Sequence, residues 1–309
     1  MRVEILGTAA GGAFPQWNCA CNNCRRIRRG TFSGEARSQL QVVLSGDDHA
    51  WFLLNASPDL RSQIEANSFL HPREGLRQSP IAGGVLTSAD LDQVLGLLLL
   101  RELQPLQIYS TAAIREILVN DNSMFGMLHR VPKQAQWEDV EPGKTFELIS
   151  PGGEKSGIEC LPVVLSTRFP GYVTPARAQS LQPNGALLGL ILNTAQGGRL
   201  GYFPAVPQLS QELMEHLSTV DVLLFDGTFW TDDELIQVQG SGQTARQMGH
   251  VPVTGEQGSL QLLSGLKRPQ KIFVHINNTN PMLDVSGPEY GRVREAGWEV
   301  AEDGWRFEL

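Results

Sequence analysis

Two mixed β-sheets packed face to face with helices outside, an α/β architecture, are expected from the sequence. Three observations carry it. Short apolar runs with strand character alternate with helical spacing through both halves of the chain, roughly 1–150 and 151–309. Several of those runs end in an acid or a histidine, the position where ligands gather in α/β proteins. No repeat of fixed period, low-complexity segment or linker interrupts the 309 residues, and 41% of them are hydrophobic, enough to bury a large core.

The stretch around residues 85–102 organises the rest. Val85-Leu86-Thr87 reads as the end of a buried strand and Ser88-Ala89-Asp90 as a turn. From Leu91 the residues Leu91, Val94, Leu95 and Leu98 follow helical spacing, and Leu97, Leu99 and Leu100 make that helix apolar on most sides. Ser88, Asp90, Asp92 and Gln93 are thereby delivered to the carboxyl end of a strand. The two acids suit a cation that wants oxygen ligands. They equally suit the cap of a helix, where Asp and Ser accept from unpaired N–H groups. Spacing alone leaves both readings open.

Taken in order, residues 3–6 read as a strand and Gly7 to Gly12 as a small-residue loop without nucleotide-binding spacing. Cys19, Cys21 and Cys24 follow at C-x-C-x-x-C, a spacing that lets three thiols converge on one tetrahedral zinc, with the fourth ligand to come from elsewhere. Arg25, Arg26, Arg28 and Arg29 read as a solvated helix face. Residues 40–44 and 51–54 form a hairpin about Ser45-Gly46-Asp47-Asp48. Ser57 suits an N-cap, with Pro58 and Asp59 opening the helix. Residues 66–80 read as a surface loop with a solvated His71, 106–109 as a strand, 112–119 as a helix and 120–144 as irregular chain.

Residues 145–148 and 158–165 read as strands, with Cys160 a small buried hydrophobe. Residues 168–184 form a polar loop whose Pro170-Gly171-Tyr172 suits a lid or rim. Strands at 186–193 and 199–203 precede an amphipathic helix at 210–218. A buried run, 221–228, delivers Asp226 to a strand end as Asp90 and Asp92 are delivered. A helical excursion at 230–238 leads to a glycine-rich loop, 240–255, carrying Arg246 and His250. After a helix at 259–266, a strand at 271–276 carries His275 near its end. A hairpin of 298–301 with 305–308 closes the chain.

A formal net charge of −8 gives no electrostatic case for nucleic acid. No apolar run reaches the ~18 residues that span a bilayer. The opening Met1-Arg2-Val3-Glu4-Ile5 reads as a strand rather than a signal peptide, so a cytoplasmic protein is expected. Four cysteines, three of them within six residues, do not form a disulfide framework.

Leu86-Thr87-Ser88-Ala89-Asp90-Leu91-Asp92-Gln93-Val94-Leu95-Gly96-Leu97 is similar to the T-H-x-H-x-D-H-x-x-G-L signature of the metallo-β-lactamase superfamily. The superfamily's histidines fall on Ser88, Asp90 and Gln93, and its Asp on Asp92. A further His falls on Leu165, the bridging Asp on Asp226 and the last His on His275. The three cysteines resemble the structural-zinc motif of the PhnP phosphodiesterase branch. That motif's fourth ligand falls on Asn278, with His275 as the alternative. A resemblance spanning essentially the whole chain is to a family within this superfamily that serves the biosynthesis of the redox cofactor pyrroloquinoline quinone (PQQ). It rests on Gly11-Gly12, Phe14-Pro15-Gln16-Trp17-Asn18-Cys19, Asn55-Ala56-Ser57-Pro58-Asp59, Gly96-Leu97-Leu98, Leu100-Arg101-Glu102, Asp226-Gly227-Thr228, Met248-Gly249-His250 and His275-Ile276-Asn277-Asn278-Thr279-Asn280-Pro281.

What this resemblance implies is a metallo-β-lactamase-type αββα sandwich, one domain over 1–309, with Asp90, Asp92, Gln93, Asp226, His250 and His275 as catalytic residues. It implies a structural zinc on Cys19, Cys21 and Cys24. It also implies an active-site iron, or another divalent metal, on Asp90, Asp92 and His275. The implied reaction is hydroxylation of the tyrosine in a Glu-Tyr precursor. The partners would be that peptide or dipeptide and other PQQ biosynthesis proteins, with a homodimer open. The alternative is a carrier of PQQ or its precursor towards the periplasm. A β-lactamase or two-zinc hydrolase is disfavoured, because such a site needs imidazole-rich shells where this chain has Ser88, Gln93 and Leu165; one metal is expected. Gln93 stands where the family has His and is a poorer ligand. Weaker metal binding, restored by Gln93→His, is expected.

Overall fold

Fourteen strands carry the architecture: β1 (Arg2–Gly7), β2 (Gln41–Ser45), β3 (Trp51–Leu54), β4 (Ile81–Val85), β5 (Leu106–Ser110), β6 (Ala135–Asp139), β7 (Phe146–Ile149), β8 (Lys155–Ser166), β9 (Leu187–Thr194), β10 (Arg199–Phe203), β11 (Val222–Asp226), β12 (Gln270–Val274), β13 (Trp298–Val300) and β14 (Trp305–Glu308). The computed structural model describes residues 1–309, and the chain divides into two units. No helix is long and apolar enough to cross a membrane.

The first unit comprises Met1–Leu6, Gln41–Gly198 and Arg306–Leu309. Its large sheet has the order β14-β1-β2-β3-β4-β5-β6. β2 and β3 pair antiparallel as the hairpin chemistry requires, while β3, β4, β5 and β6 run parallel in succession. Parallel strands covered on both faces read as unbroken apolar runs, and β2, β3 and β4 are buried throughout. In β4 a Cβ on Gly83 would lie 2.0 Å from the Gln107 carbonyl oxygen, so only glycine lets the neighbouring strand approach this closely. Leu53, Leu60, Leu86, Val94, Ile108 and Ile114 belong to the core of this unit. β7, β8 and β9 form an antiparallel meander. Cys160 on β8 is fully buried, and burial pushes its thiol pKa up.

The second unit comprises Gly7–Leu40 and Arg199–Trp305. β10, β11, β12 and β13 are parallel neighbours in that order. Asp226 and Val274 are register partners, so Asp226 and His275 emerge at adjacent carboxyl ends. Ala9 bridges Gln39 and Ile276, which fixes the small-residue loop beside the end of β12.

Several elements differ from the sequence reading for identifiable reasons. The helix expected from Leu91 through Leu100 is α-helical only over Leu91–Val94 and tightens to a 3-10 turn over Leu95–Leu100. Gly96 is pressed against the Ala56-Ser57 backbone, where a Cβ would lie 2.2 Å from the Ser57 oxygen, and its N–H goes to Ala56 O rather than back along a helix. Ser57 does not cap the next helix, which starts at Leu60. Its hydroxyl donates to Gln63 and its N–H to the Gln41 side chain. The 120–144 stretch contains β6, whose exposed Glu138 and Asp139 hide the apolar signature of an edge strand. His71 is not simply solvated: its Nε2 lies 3.1 Å from Ile64 O, at a helix end. β13 and β14 make no hairpin. Trp298 of β13 stacks on Phe273 at 4.1 Å and β13 pairs with β12, whereas β14 lies beside β1.

Asn55 clamps the turn after β3 to the turn after β4. It sits at φ +63°, a left-handed conformation that Asn tolerates better than most residues. Its Oδ1 accepts from Thr87 N at 2.8 Å, and its Nδ2 donates to Thr87 Oγ1 and to Gln93 Oε1. Replacement by Ala leaves the buried Thr87 N–H and Gln93 amide without these partners, so Asn55→Ala is expected to lower unfolding free energy by about 2–4 kcal/mol. Urea denaturation measures this, and a loss below about 1 kcal/mol contradicts the clamp.

Candidate metal centres

In the second unit the strand ends bring together Asp226, His250 and His275, whose ligand atoms all lie within 4.8 Å of one another. Asp226 is fully buried. A buried carboxylate is tolerable only when its oxygens are satisfied, and here they are. Oδ1 accepts from the Thr228 N–H at 3.0 Å and hydroxyl at 2.7 Å, and Oδ2 from Val206 N at 2.8 Å. His250 Nδ1 also lies 2.8 Å from Oδ2. Thr228 Oγ1 then meets His275 Nδ1 at 2.9 Å and His250 Nδ1 at 3.1 Å. With Nδ1 of both rings engaged by oxygen, the bonding assigns the proton to Nδ1 and makes Nε2 the basic nitrogen, the arrangement in which an imidazole ligates a metal.

The local chain explains the placement. Gly227 donates to Val274 O, and a Cβ there would lie 2.8 Å from Phe273 Cβ, so Asp226-Gly227-Thr228 can turn flat against β12. Asn280 Nδ2 donates to Gly227 O at 2.9 Å and so ties the Asn277–Pro281 turn to that one. His275 takes φ +56°, an uncommon conformation for a residue with a Cβ, of the kind that concentrates at functional sites. The His250 and His275 rings stack at 5.4 Å, and Phe229 meets His250 edge-on. The Nε2 atoms of two imidazoles, with the Asp226 carboxylate behind the His250 ring, fit one divalent cation with positions left for other ligands.

A second cluster in the same unit gathers Cys19, Cys21 and Cys24, again within 4.8 Å. Cys21 precedes the helix Asn22–Arg28, and its sulphur accepts from Cys24 N. The Asn278 Nδ2 lies 3.1, 3.7 and 3.3 Å from the sulphurs of Cys19, Cys21 and Cys24. Of the two residues considered for the fourth ligand, Asn278 faces the thiols, and His275 stands with Asp226 and His250. Burial pushes the Cys21 thiol up to about 12, while the Cys19 thiol is lowered, its burial outweighed by the Cys21 N–H and neighbouring thiols. Three convergent thiols fit zinc, which binds them as thiolates.

Asp90, Asp92 and Gln93 stand in the first unit, after β4. Asp90 is exposed and occupies the N-cap position, yet its side chain makes no cap bond; it accepts from Ser88 Oγ at 2.9 Å. Asp92 is half-buried in the first helical turn. Gln93 is buried, with its amide oxygen held by Asn55. Tyr172, in the expected rim loop, donates to Ala89 O at 2.5 Å, and burial, reinforced by the charge of Asp90, pushes its pKa up to about 12.

Three residues escaped the sequence reading as site residues: Thr228, Asn280 and Glu234. The first two lay inside quoted motifs, where a short polar residue beside Asp226 or His275 was the available signal. Glu234 gave none. It is buried, accepts from Trp230 N at 2.5 Å and from Thr279 Oγ1, and so braces the turn after His275; burial raises its pKa to about 7.

Comparison with known proteins shows the family. The Beta-lactamase superfamily domain matches residues 50–276. The chain is 39% identical to Coenzyme PQQ synthesis protein B of Pseudomonas putida over 314 aligned positions, covering 100% of each chain. It is 39% identical to the protein of the same name from Gluconacetobacter diazotrophicus, covering 98% of each. The crystal structure of Zn(2+)-bound PqqB from Methylobacterium extorquens superposes with a TM-score of 0.90 at 37% identity, over 100% of both chains.

The cysteine cluster leads to the expectation that purified protein carries zinc at about one per chain, and that changing Cys19, Cys21 and Cys24 together to Ser removes it. Elemental analysis that finds no zinc in the parent, or equal zinc in the variant, contradicts the assignment. Glu234 gives a pH signature. Its folded pKa of about 7 stands above the ordinary 4.5, so the folded state binds the extra proton between these values. Stability therefore falls as pH rises through that window, with a slope of at most about 1.4 kcal/mol per pH unit. Urea midpoints across this range are expected to show the decline in the parent and to lack it in Glu234→Gln.

Proposed function

Because the chain belongs to the Coenzyme PQQ synthesis protein B family, within the beta-lactamase superfamily and with its α/β fold of two mixed seven-stranded sheets and helices, we propose that it serves PQQ biosynthesis as an iron-dependent hydroxylase of the tyrosine in a Glu-Tyr precursor. The observation that carries this reading is the convergence of Asp226, His250 and His275. Two imidazoles oriented by a buried carboxylate, with positions open for further oxygen ligands, suit Fe(II) and O₂ chemistry, whereas a two-metal hydrolytic centre requires more ligands than this set offers.

Iron bound there would supply the activation of O₂. The chain's own groups do the rest. Asp226 and Thr228 hold the two rings in one tautomer, and the buried strand ends keep bulk water from the ligands. The reaction consumes O₂, places one oxygen atom on the aromatic ring in place of hydrogen, and releases the other as water. An external reductant supplies two electrons, and two protons taken up with them complete the water. Asp90 and Asp92 are proposed as further carboxylates of the reaction, and the work is proposed to take place in the cytoplasm with the other proteins of the pathway.

Anaerobic loading with Fe(II), followed by a Glu-Tyr peptide, a reductant and O₂, is expected to give peptide-dependent oxygen uptake and a product heavier by one oxygen atom. His275→Ala is expected to reduce uptake to background, and Asp226→Asn to lower it about 10–100-fold. Saturable peptide binding without oxygen uptake at any iron loading would remove the hydroxylase and leave the carrier.

A further inference from the structure

A cavity of about 740 Å³ in the second unit has Cys19, Cys21 and Asn278 among the residues on its wall, with Phe229, Val238 and Met248 among its apolar ones. Its volume lies within the roughly 300–1,000 Å³ of small-ligand pockets. The cysteine cluster therefore borders a space large enough for a ligand. Cys24 is sealed, but Cys19 and Cys21 are only half-buried. The fourth group at the cluster is the amide of Asn278, whose nitrogen faces all three sulphurs. Amide oxygen and nitrogen occupy equivalent places, so a half-turn of the amide offers its oxygen to a metal instead. That oxygen is neutral and feebly basic beside three thiolates. A zinc site closed for structure alone has four strong protein ligands, whereas one with three keeps a position for exchange.

Charge points the same way. Arg25 is the one formally charged residue of the cavity wall, and no Asp or Glu lines it. Two of the neighbouring arginines are engaged within the fold: Arg26 pairs with Asp284 at 2.5 Å, and Arg28 donates to the carbonyls of Cys19 and Gln16. Three thiolates around a divalent zinc carry a net negative charge, so a further anionic ligand needs a compensating cation, and the planar guanidinium matches a carboxylate.

We propose that the three-cysteine zinc of this chain has an exchangeable fourth position, covered by Asn278, which opens to this cavity and accepts a small carboxylate-bearing ligand, with Arg25 as counter-charge. With zinc held by the three thiolates, Asn278 would supply its amide oxygen as the weak fourth ligand, and an ionised carboxylate oxygen would take that place without electron transfer. The site is separate from the Asp226, His250 and His275 cluster and stands or falls independently of the hydroxylation.

Cobalt(II) replaces zinc for the test, because absorption from thiolate-to-cobalt charge transfer reports the cysteine site alone. Full-length protein is titrated with Glu-Tyr dipeptide, with acetate, and with tyrosinamide, which lacks a carboxylate. The charge-transfer band is expected to shift and saturate with the dipeptide, to shift with acetate at higher concentration, and to stay fixed with tyrosinamide. Asn278→His, which supplies a strong fourth ligand, is expected to abolish the shift. Arg25→Met, at an exposed position, is expected to weaken dipeptide binding about tenfold. A band unmoved by dipeptide and acetate in the parent, or an equal shift in Asn278→His, overturns the proposal; so does an unchanged dissociation constant in Arg25→Met, a variant that tests it even if Asn278→His fails to fold.

Discussion

Asp226 is a carboxylate with no exposure to water, and the second unit is arranged around keeping it satisfied. Removing a carboxylate from water costs several kcal/mol unless hydrogen bonds replace the lost hydration. The replacements come from three places: Thr228 two residues on, the Val206 N–H after β10, and the ring of His250. Each bond also fixes something. Thr228 is held so that its hydroxyl meets His275, and the His250 loop is drawn to the end of β11 and secured by Val251 N donating to Val206 O. One buried charge thus sets the orientation and tautomer of two imidazoles. Those are the properties a metal site demands of the groups behind its ligands.

The two clusters differ in chemistry more than in architecture. Cys19, Cys21 and Cys24 are soft donors and select zinc, while the nitrogen donors of His250 and His275, backed by Asp226, suit a borderline divalent metal with open positions. The Asn277–Pro281 turn joins them along the chain. Its Asn278 faces the thiols, its Asn280 holds Gly227, and its Asn277 and Thr279 lean on Glu234. A change of conformation in these five residues is thereby felt at both clusters.

Much of this was legible because the strands are short, apolar and terminated by chemistry-bearing residues. The buried run before Asp226 and the C-x-C-x-x-C spacing point to their sites without tertiary information. The Asn55 clamp on Gln93 was not legible, since a buried amide pair leaves no periodic signal. The pinched turn at Gly96 was missed for a related reason: helical spacing from Leu91 to Leu100 describes side-chain faces, whereas the backbone there answers to Ala56 and Ser57. The final strands misled for another. A short turn between two strand-like runs signals a hairpin, but stacking of Trp298 on Phe273 commits β13 to β12. Glu234, distant in sequence from the turn that it braces, needed the fold to be seen.

His250 and His275, with Asp226 behind them, are proposed to hold one divalent metal in addition to that of the cysteines. Crystals prepared with Fe(II) under anaerobic conditions, with anomalous differences recorded on both sides of the iron edge, test it most directly. An iron peak within bonding distance of the His250 and His275 rings, distinct from a zinc peak at Cys19, Cys21 and Cys24, is the expected result. Iron absent from those rings in crystals whose cysteine site is fully occupied would contradict it.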